Sequence, residues 1–230
     1  MRFGIVVNRL RRLRSTYTTT PLAAAARRAG HSVVFIDIHG ITLDSSDRLL
    51  AMAWRADRDA PRPLARAARR GDLPRGLVDL SVLDALLLRN NPPRPAVLDF
   101  ARLLRERGVV VLNDPDGLVA GASKLALSAL PRSLRPATVV SADRRVLDAF
   151  LDELAGPAVF KPLRGSGGKG VIRLGPGDHD VLHRALDERL RRGDGAVVLQ
   201  QYLDGAEGGD KRILLVDGDP VGCYVRMRSC

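Results

Sequence analysis

Two lysines and a cluster of glycines carry the first chemical signal in this 230-residue chain. In the stretch 157–171, Lys161 sits on an apolar strand, and Lys169 sits inside the turn Gly165-Ser166-Gly167-Gly168-Lys169-Gly170. Glycine exposes backbone N–H groups and allows close approach, so such a turn can wrap phosphate oxygens. Lysine adds a compact positive charge for the same oxygens. The letters also spell GxGxxG, but a dinucleotide fold opens a helix at the third glycine. Here β-branched Val171 and Ile172 follow at once and Gly175-Pro176-Gly177 ends the run, which predicts a strand–turn–strand hairpin. The P-loop spelling is absent, because Lys169 is followed by Gly170. From these residues alone, an ordinary surface hairpin and a phosphate-binding turn both stay open.

Of 37 basic residues, only Lys124, Lys161, Lys169 and Lys211 are lysines. In a chain so biased to arginine, each remaining lysine marks a place that suits a point charge rather than a planar fork. The net charge of +11 invites a polyanionic partner, but pairs such as Arg27-Arg28, Arg69-Arg70 and Arg191-Arg192 are scattered over predicted helices. Three tyrosines, five phenylalanines and one tryptophan offer little for base stacking, so no specific nucleic-acid partner is expected. Arg89 follows an apolar run and opens Arg89-Asn90-Asn91-Pro92-Pro93, where it either forks onto a carboxylate or phosphate or faces solvent. No apolar run is long enough for a signal peptide or a membrane span. Cys223 and Cys230 do not make a disulfide framework, and a cytoplasmic protein is expected.

These groups need elements to hold them. Residues 3–7 read as a strand, Leu22–Ala29 as a helix with Thr20 as N-cap and Gly30 as stop, and 33–37 as a second strand. That order predicts a parallel α/β sheet. The threonines between strand and helix lie where such sheets bind ligands, or they only cap the helix. Residues 44–75 read as helix and loop, 82–88 as a strand, 95–107 as a helix and 109–113 as a strand. The rhythm breaks at Gly117–Gly121. A half-buried helix over 122–130 carries Lys124, 131–136 is a linker, and 138–140 is a strand. Ser141 caps a helix over 142–155. After the glycine hairpin comes helix 179–192, whose His179 and His183 read as solvent residues rather than metal ligands. Strands at 197–203, after Asp210, and at 221–227 complete the chain.

The segments 87–93, 111–115, 123–125, 159–168, 200–203 (Gln-Gln-Tyr-Leu) and 209–221 are jointly specific in order and spacing. Together they resemble the ATP-grasp superfamily and, within it, the bacterial glutathione synthetases, over essentially the whole chain. The resemblance implies an α/β protein: a parallel N-terminal (pre-ATP-grasp) substrate domain, 1–121, followed by a partial ATP-grasp domain, 122–230. The nucleotide lobe would cover about 136–203, with only the start of a C-terminal lobe at 204–230. It further implies that Lys124 and Lys161 contact ATP phosphates and that Gly165, Ser166, Gly167, Gly168 and Lys169 form the loop closing over them. Gln200, Gln201, Tyr202 and Leu203 would form the adenine hinge, with Asp210 near the nucleotide. Arg89, Asn91 and Arg212 would hold substrate, Arg212 also serving catalysis.

The implied reaction joins γ-glutamylcysteine to glycine through an acyl phosphate, chemistry that relies on positioning and charge neutralisation. Asn90-Asn91 stand where the family has a charged pair after its arginine, which leaves the substrate open. Asp217 and Asp219 do not match the family's Mg2+ ligands, which are expected in a missing C-terminal part, so no metal ligand is assigned. Neither Arg226 nor Arg228 is assigned to a further family arginine. The chain alone is expected to be inactive and its full-length form a homo-oligomer. The alternatives are another ATP-grasp amino-acid or peptide ligase, a degenerate nucleotide-binding module and, more distantly, a basic RNA-binding protein. An unfinished sheet edge near 221–227 would pair with another chain or lower solubility.

Overall fold

Alternation along β1 (Arg2–Val7) sends Ile5 and Val7 to one face of a sheet and Val6 to the other. The computed structural model describes every residue except Ser166, Ala206, Glu207, Asp217 and 228–230. Contacts divide the chain into two units, Met1–Gly121 and Ala122–Cys230.

In the first unit, α1 (Thr19–Arg28) leads to β2 (Ser32–Leu43) and β3 (Leu49–Arg55), then α2 (Pro61–Arg70) to β4 (Arg75–Asp79) and β5 (Ala85–Leu88). Helix α3 (Pro95–Glu106), β6 (Val110–Leu112) and α4 (Pro115–Gly121) follow. The strand order is β4-β3-β2-β1-β5-β6. β1 runs parallel to β2 and β5, and β5 parallel to β6, while β3 and β4 add an antiparallel margin. Ala23 and Ala24 of α1 and Leu64, Ala67 and Ala68 of α2 cover one face, and Val97, Leu98, Ala101 and Leu104 of α3 cover the other. β1 sits tightly between its neighbours because residue 4 is glycine. A Cβ there would lie 2.7 Å from Leu83 Cδ1 and 2.9 Å from Leu86 Cδ1.

Three local readings are corrected. Thr20 is not the N-cap, since α1 starts at Thr19, and the fully buried Thr20 hydroxyl donates to the Arg14 carbonyl at 2.8 Å. The stretch 44–75 holds two strands as well as a helix. Leu49, Ala51 and Ala53 alternate inward, and β3 pairs with both β2 and β4. The strand read at 82–88 begins only at Ala85, after a 3-10 turn over Leu80–Val82.

The second unit opens with a 3-10 turn, Lys124–Ala129, in place of a half-buried helix; Leu125 and Leu127 are exposed. Another short turn, Arg132–Leu134, lies in the linker. β7 (Thr138–Ser141), α5 (Arg144–Glu153), β8 (Ala158–Pro162), β9 (Ile172–Leu174), α6 (His179–Arg191) and β10 (Val197–Gln201) form a sheet of order β7-β10-β8-β9, antiparallel throughout. Asp143, not Ser141, caps α5, its carboxylate accepting from the Arg145 amide at 2.9 Å.

Residues at four-residue intervals join α5 to α6. Arg144 pairs with Asp187 at 2.6 Å, and His183 Nε2 meets Asp148 at 2.9 Å. His179 bridges Asp148 at 2.9 Å and Asp152 at 3.0 Å, so these histidines face carboxylates rather than only solvent. The hydrogen bond with Asp148 raises the His179 pKa. Burial opposes ionisation of Asp148, but its bonds with His179 and His183 outweigh that and lower its pKa. β11 (Asp210–Val216) and β12 (Asp219–Arg226) form a separate hairpin, exposed except at Asp210. Asp217 lies outside the described residues.

Candidate functional site

The two-residue period of the second unit's sheet separates its chemistry from its core. Ala158, Phe160, Val197 and Leu199 pack with Leu147, Leu151, Leu182 and Leu186 of the helices. The intervening positions put Lys161, Gln200 and Thr138 on the opposite face. Lys161 stands opposite Val198 and diagonal to Gln200, and Gln200 stands opposite Thr138. The side chains are joined in series. Lys161 Nζ donates to Gln200 Oε1 at 2.6 Å, Gln200 Nε2 to Thr138 Oγ1 at 2.7 Å, and Thr138 Oγ1 to the Pro136 carbonyl at 2.8 Å.

Lys124 approaches the same strand from the preceding 3-10 turn. Its amide donates to the Leu163 carbonyl at 2.9 Å, and its Nζ donates to the carbonyls of Pro162 at 2.7 Å and Gly165 at 3.3 Å. Burial first, then the charge of Lys124, lowers the Lys161 pKa. Burial, then the charge of Arg189, lowers that of Lys124, with Asp194 opposing. Among the described residues, neither ammonium makes an ion pair with a carboxylate. Two cations therefore meet at the root of the glycine turn in want of an anion.

The turn is built from left-handed backbone at Gly165, Gly167, Gly168 and Gly170, a conformation glycine adopts without penalty. Gly170 has a second constraint, since the Arg189 guanidinium packs where a Cβ would project. Lys169 is exposed. Ser166 lies outside the described residues. At the expected hinge, the amides of Gln201 and Tyr202 are taken by the carbonyls of Ala137 and Pro157, both at 2.9 Å. Leu203 is 54% exposed. The Arg173 guanidinium carbon lies 4.4 Å from the Tyr202 ring centroid. On the separate hairpin, Asp210 accepts from Arg212 and, at 2.8 Å, from Arg226. The Arg212 bond, against burial and with help from Arg226, lowers the Asp210 pKa. Arg228 lies outside the described residues.

In the first unit, the chain turns in opposite directions from the carboxyl ends of β1 and β5, a switch point that opens a crevice. Asn8 Nδ2 donates to the Asn91 carbonyl at 2.6 Å across it. Arg89 anchors its amide on the Val6 carbonyl at 3.0 Å, while its Nε reaches only Thr19 Oγ1, at 3.5 Å. Arg89, Asn91, Asn8 and Thr16–Thr19 line a cleft of about 520 Å³. Its guanidinium has no carboxylate partner among the described residues and is free to fork onto one. Asn8, Thr19, Thr138 and Arg189 were not singled out individually from the sequence. Asn8 carries a signal in its place directly after a buried strand, and Thr19 in its place among the threonines between strand and helix. Among the described residues, no group of three or more His, Cys, Asp or Glu is arranged to hold a metal ion.

Family models match almost the whole chain: the prokaryotic glutathione synthetase N-terminal domain over residues 1–118 and the prokaryotic glutathione synthetase ATP-grasp domain over 123–230. The chain belongs to the prokaryotic glutathione synthetase family. A glutathione synthetase of Synechococcus elongatus is 30% identical, in an alignment covering 99% of this chain and 72% of the relative. One of a Synechocystis species is 35% identical over 65% of this chain and 47% of the relative. Among solved structures, D-cycloserine synthetase DcsG shares the fold, with a TM-score of 0.65 at 16% identity over 99% of this chain and 68% of that one. The N-terminal α/β domain followed by an ATP-grasp domain accords with the fold class that the resemblance implies.

Proposed function

We propose that this glutathione synthetase family chain serves an ATP-dependent carboxylate–amine ligase that joins γ-glutamylcysteine to glycine. The observation that carries the reading is the pair Lys124 and Lys161, two part-buried ammonium groups with no carboxylate partner among the described residues, at the root of a glycine turn. That cradle fits the phosphates of ATP, which supply the phosphoryl group that activates the substrate carboxylate as an acyl phosphate. Lys124 and Lys161 neutralise phosphate charge, and Gly165–Gly168 with Lys169 exclude water from it. Gln200 holds Lys161 in place, and the hinge Gln201–Leu203 meets the base. Arg89 and Asn91 hold a substrate carboxylate in the first unit, and Arg212 and Asp210 act from the hairpin. The described residues do not form an Mg2+ site.

The test is nucleotide calorimetry on this chain, followed by an assay on a full-length version for phosphate release and glutathione formation that requires both γ-glutamylcysteine and glycine. Absence of saturable ATP binding refutes the nucleotide site. Turnover with a different amino-acid pair assigns another ligase of the same kind, a reading that the Asn90-Asn91 pair after Arg89 favours.

A further inference from the structure

A second cleft in the first unit, of about 480 Å³, is lined by Arg9, Arg11, Arg12, Arg75, Trp54 and Asp37 among others. The fold builds it from three places. The buried Leu10 anchors a 3-10 turn directly after β1, so that Arg9, Arg11 and Arg12 project around it. Arg75 opens β4 and stands in register with Trp54 on β3. Arg11 also crosses the turn after α2, where its Nη2 would lie 3.5 Å from a Cβ at Gly71.

Several arginines elsewhere in this unit pair with carboxylates: Arg48 with Asp44, Arg58 with Asp57, Arg102 with Asp99 and Asp116, Arg105 with Asp114. The four guanidinium groups of this cleft make no ion pair and no side-chain hydrogen bond among the described residues. The one carboxylate in the lining, Asp37, accepts from the His39 amide at 3.1 Å instead. Arg9 and Arg12 also line the cleft of Arg89, whereas Arg11 and Arg75 do not; with Asp37 the one carboxylate, four positive groups against one negative leave a local surplus of three. A single carboxylate would leave most of that surplus unmatched. Phosphate oxygens take guanidinium forks in bidentate fashion, and a diphosphate carries the charge to match.

We propose that this cleft is a binding site for a small anion carrying two or more phosphate charges, separate from the lysine pair of the second unit. The chain's single tryptophan lines it and reports on it directly. The test is a titration of the whole chain with inorganic pyrophosphate, followed by Trp54 emission, against sodium chloride at equal ionic strength.

A saturable emission change is expected with pyrophosphate and not with chloride. Arg11→Gln and Arg75→Gln should each raise Kd about tenfold, as loss of one charged hydrogen-bonding group implies. Arg11→Lys, which keeps the charge and loses the fork, should fall between. Arg66→Gln, in a different arginine-lined cleft, should bind like the unaltered chain. A parallel ADP titration by calorimetry, in a chain carrying Lys124→Met and Lys161→Met so that the second unit does not answer, distinguishes the sources: tighter binding that Trp54→Leu abolishes assigns a nucleotide diphosphate, and equal binding assigns the bare anion. No saturable response, a response that Arg11→Gln and Arg75→Gln leave intact, or a response to duplex oligonucleotide with none to pyrophosphate overturns the proposal. These arginines are exposed, so each variant should fold, which circular dichroism checks.

Discussion

Replacing Lys161 by methionine sets binding against stability in one variant. The change removes the 2.6 Å bond to Gln200, a residue 6% exposed that would keep an unmatched acceptor. A hydrogen bond to a charged group contributes about 1.5–3 kcal/mol when both partners are desolvated. Lys161 is only half-buried, so solvent screening reduces that figure. Opposing it, methionine ends the burial of an ammonium and its repulsion by Lys124. The terms offset, and stability without nucleotide should fall by no more than about 1 kcal/mol, a few degrees in Tm. Phosphate, by contrast, loses a direct cationic partner. Nucleotide affinity should drop by roughly 10- to 150-fold, the same 1.5–3 kcal/mol without compensation.

Calorimetric titration and thermal unfolding measure the two. The pH dependence adds a signed check. With the Lys161 pKa below its ordinary 10.5, the unfolded chain binds more protons in the alkaline range under that value, so stability rises with pH there. The variant should show a smaller rise. Affinity within threefold of the unaltered chain, or a stability loss as large as the affinity loss, would show that Lys161 is a structural residue.

Gly4→Ala should cost about 1–3 kcal/mol by overpacking against Leu83 and Leu86, and Leu83→Val in the same chain should recover part of it, both read from thermal unfolding. His179→Asn should weaken the α5–α6 contact in a pH-dependent way. The raised His179 pKa means its contribution is present below the ordinary 6.5 and is lost as pH rises through the folded value. The denaturant midpoints of the two proteins should therefore converge as pH rises above neutral.

Where periodicity and punctuation agreed, as at β1, α3, the β8–β9 hairpin and α6, the elements could be read from the residues. β3 could not. Its inward positions Leu49, Ala51 and Ala53 alternate correctly, but two are alanines, which favour helix, and arginine and proline follow closely. What makes it a strand is long-range pairing with β2 and β4, which no local window contains. Lys124 and Lys161 stood out because lysine is scarce here. Their partners did not, because the Lys161–Gln200 bond spans 39 positions and depends on the register of β8 against β10. The same holds for His179 and His183, which read as solvent residues until α5 brings Asp148 and Asp152 to them.

The Lys124 ammonium has three N–H donors, and two are committed to the carbonyls of Pro162 and Gly165. One donor is left for an arriving anion. A single nitrogen thus couples the shape of the glycine turn to the charge above it. The bond to Gly165, at 3.3 Å, is the longer of the two, so Lys124 ties the entry of the turn more loosely than its own strand at Pro162, while Arg189 packs against Gly170 at the exit.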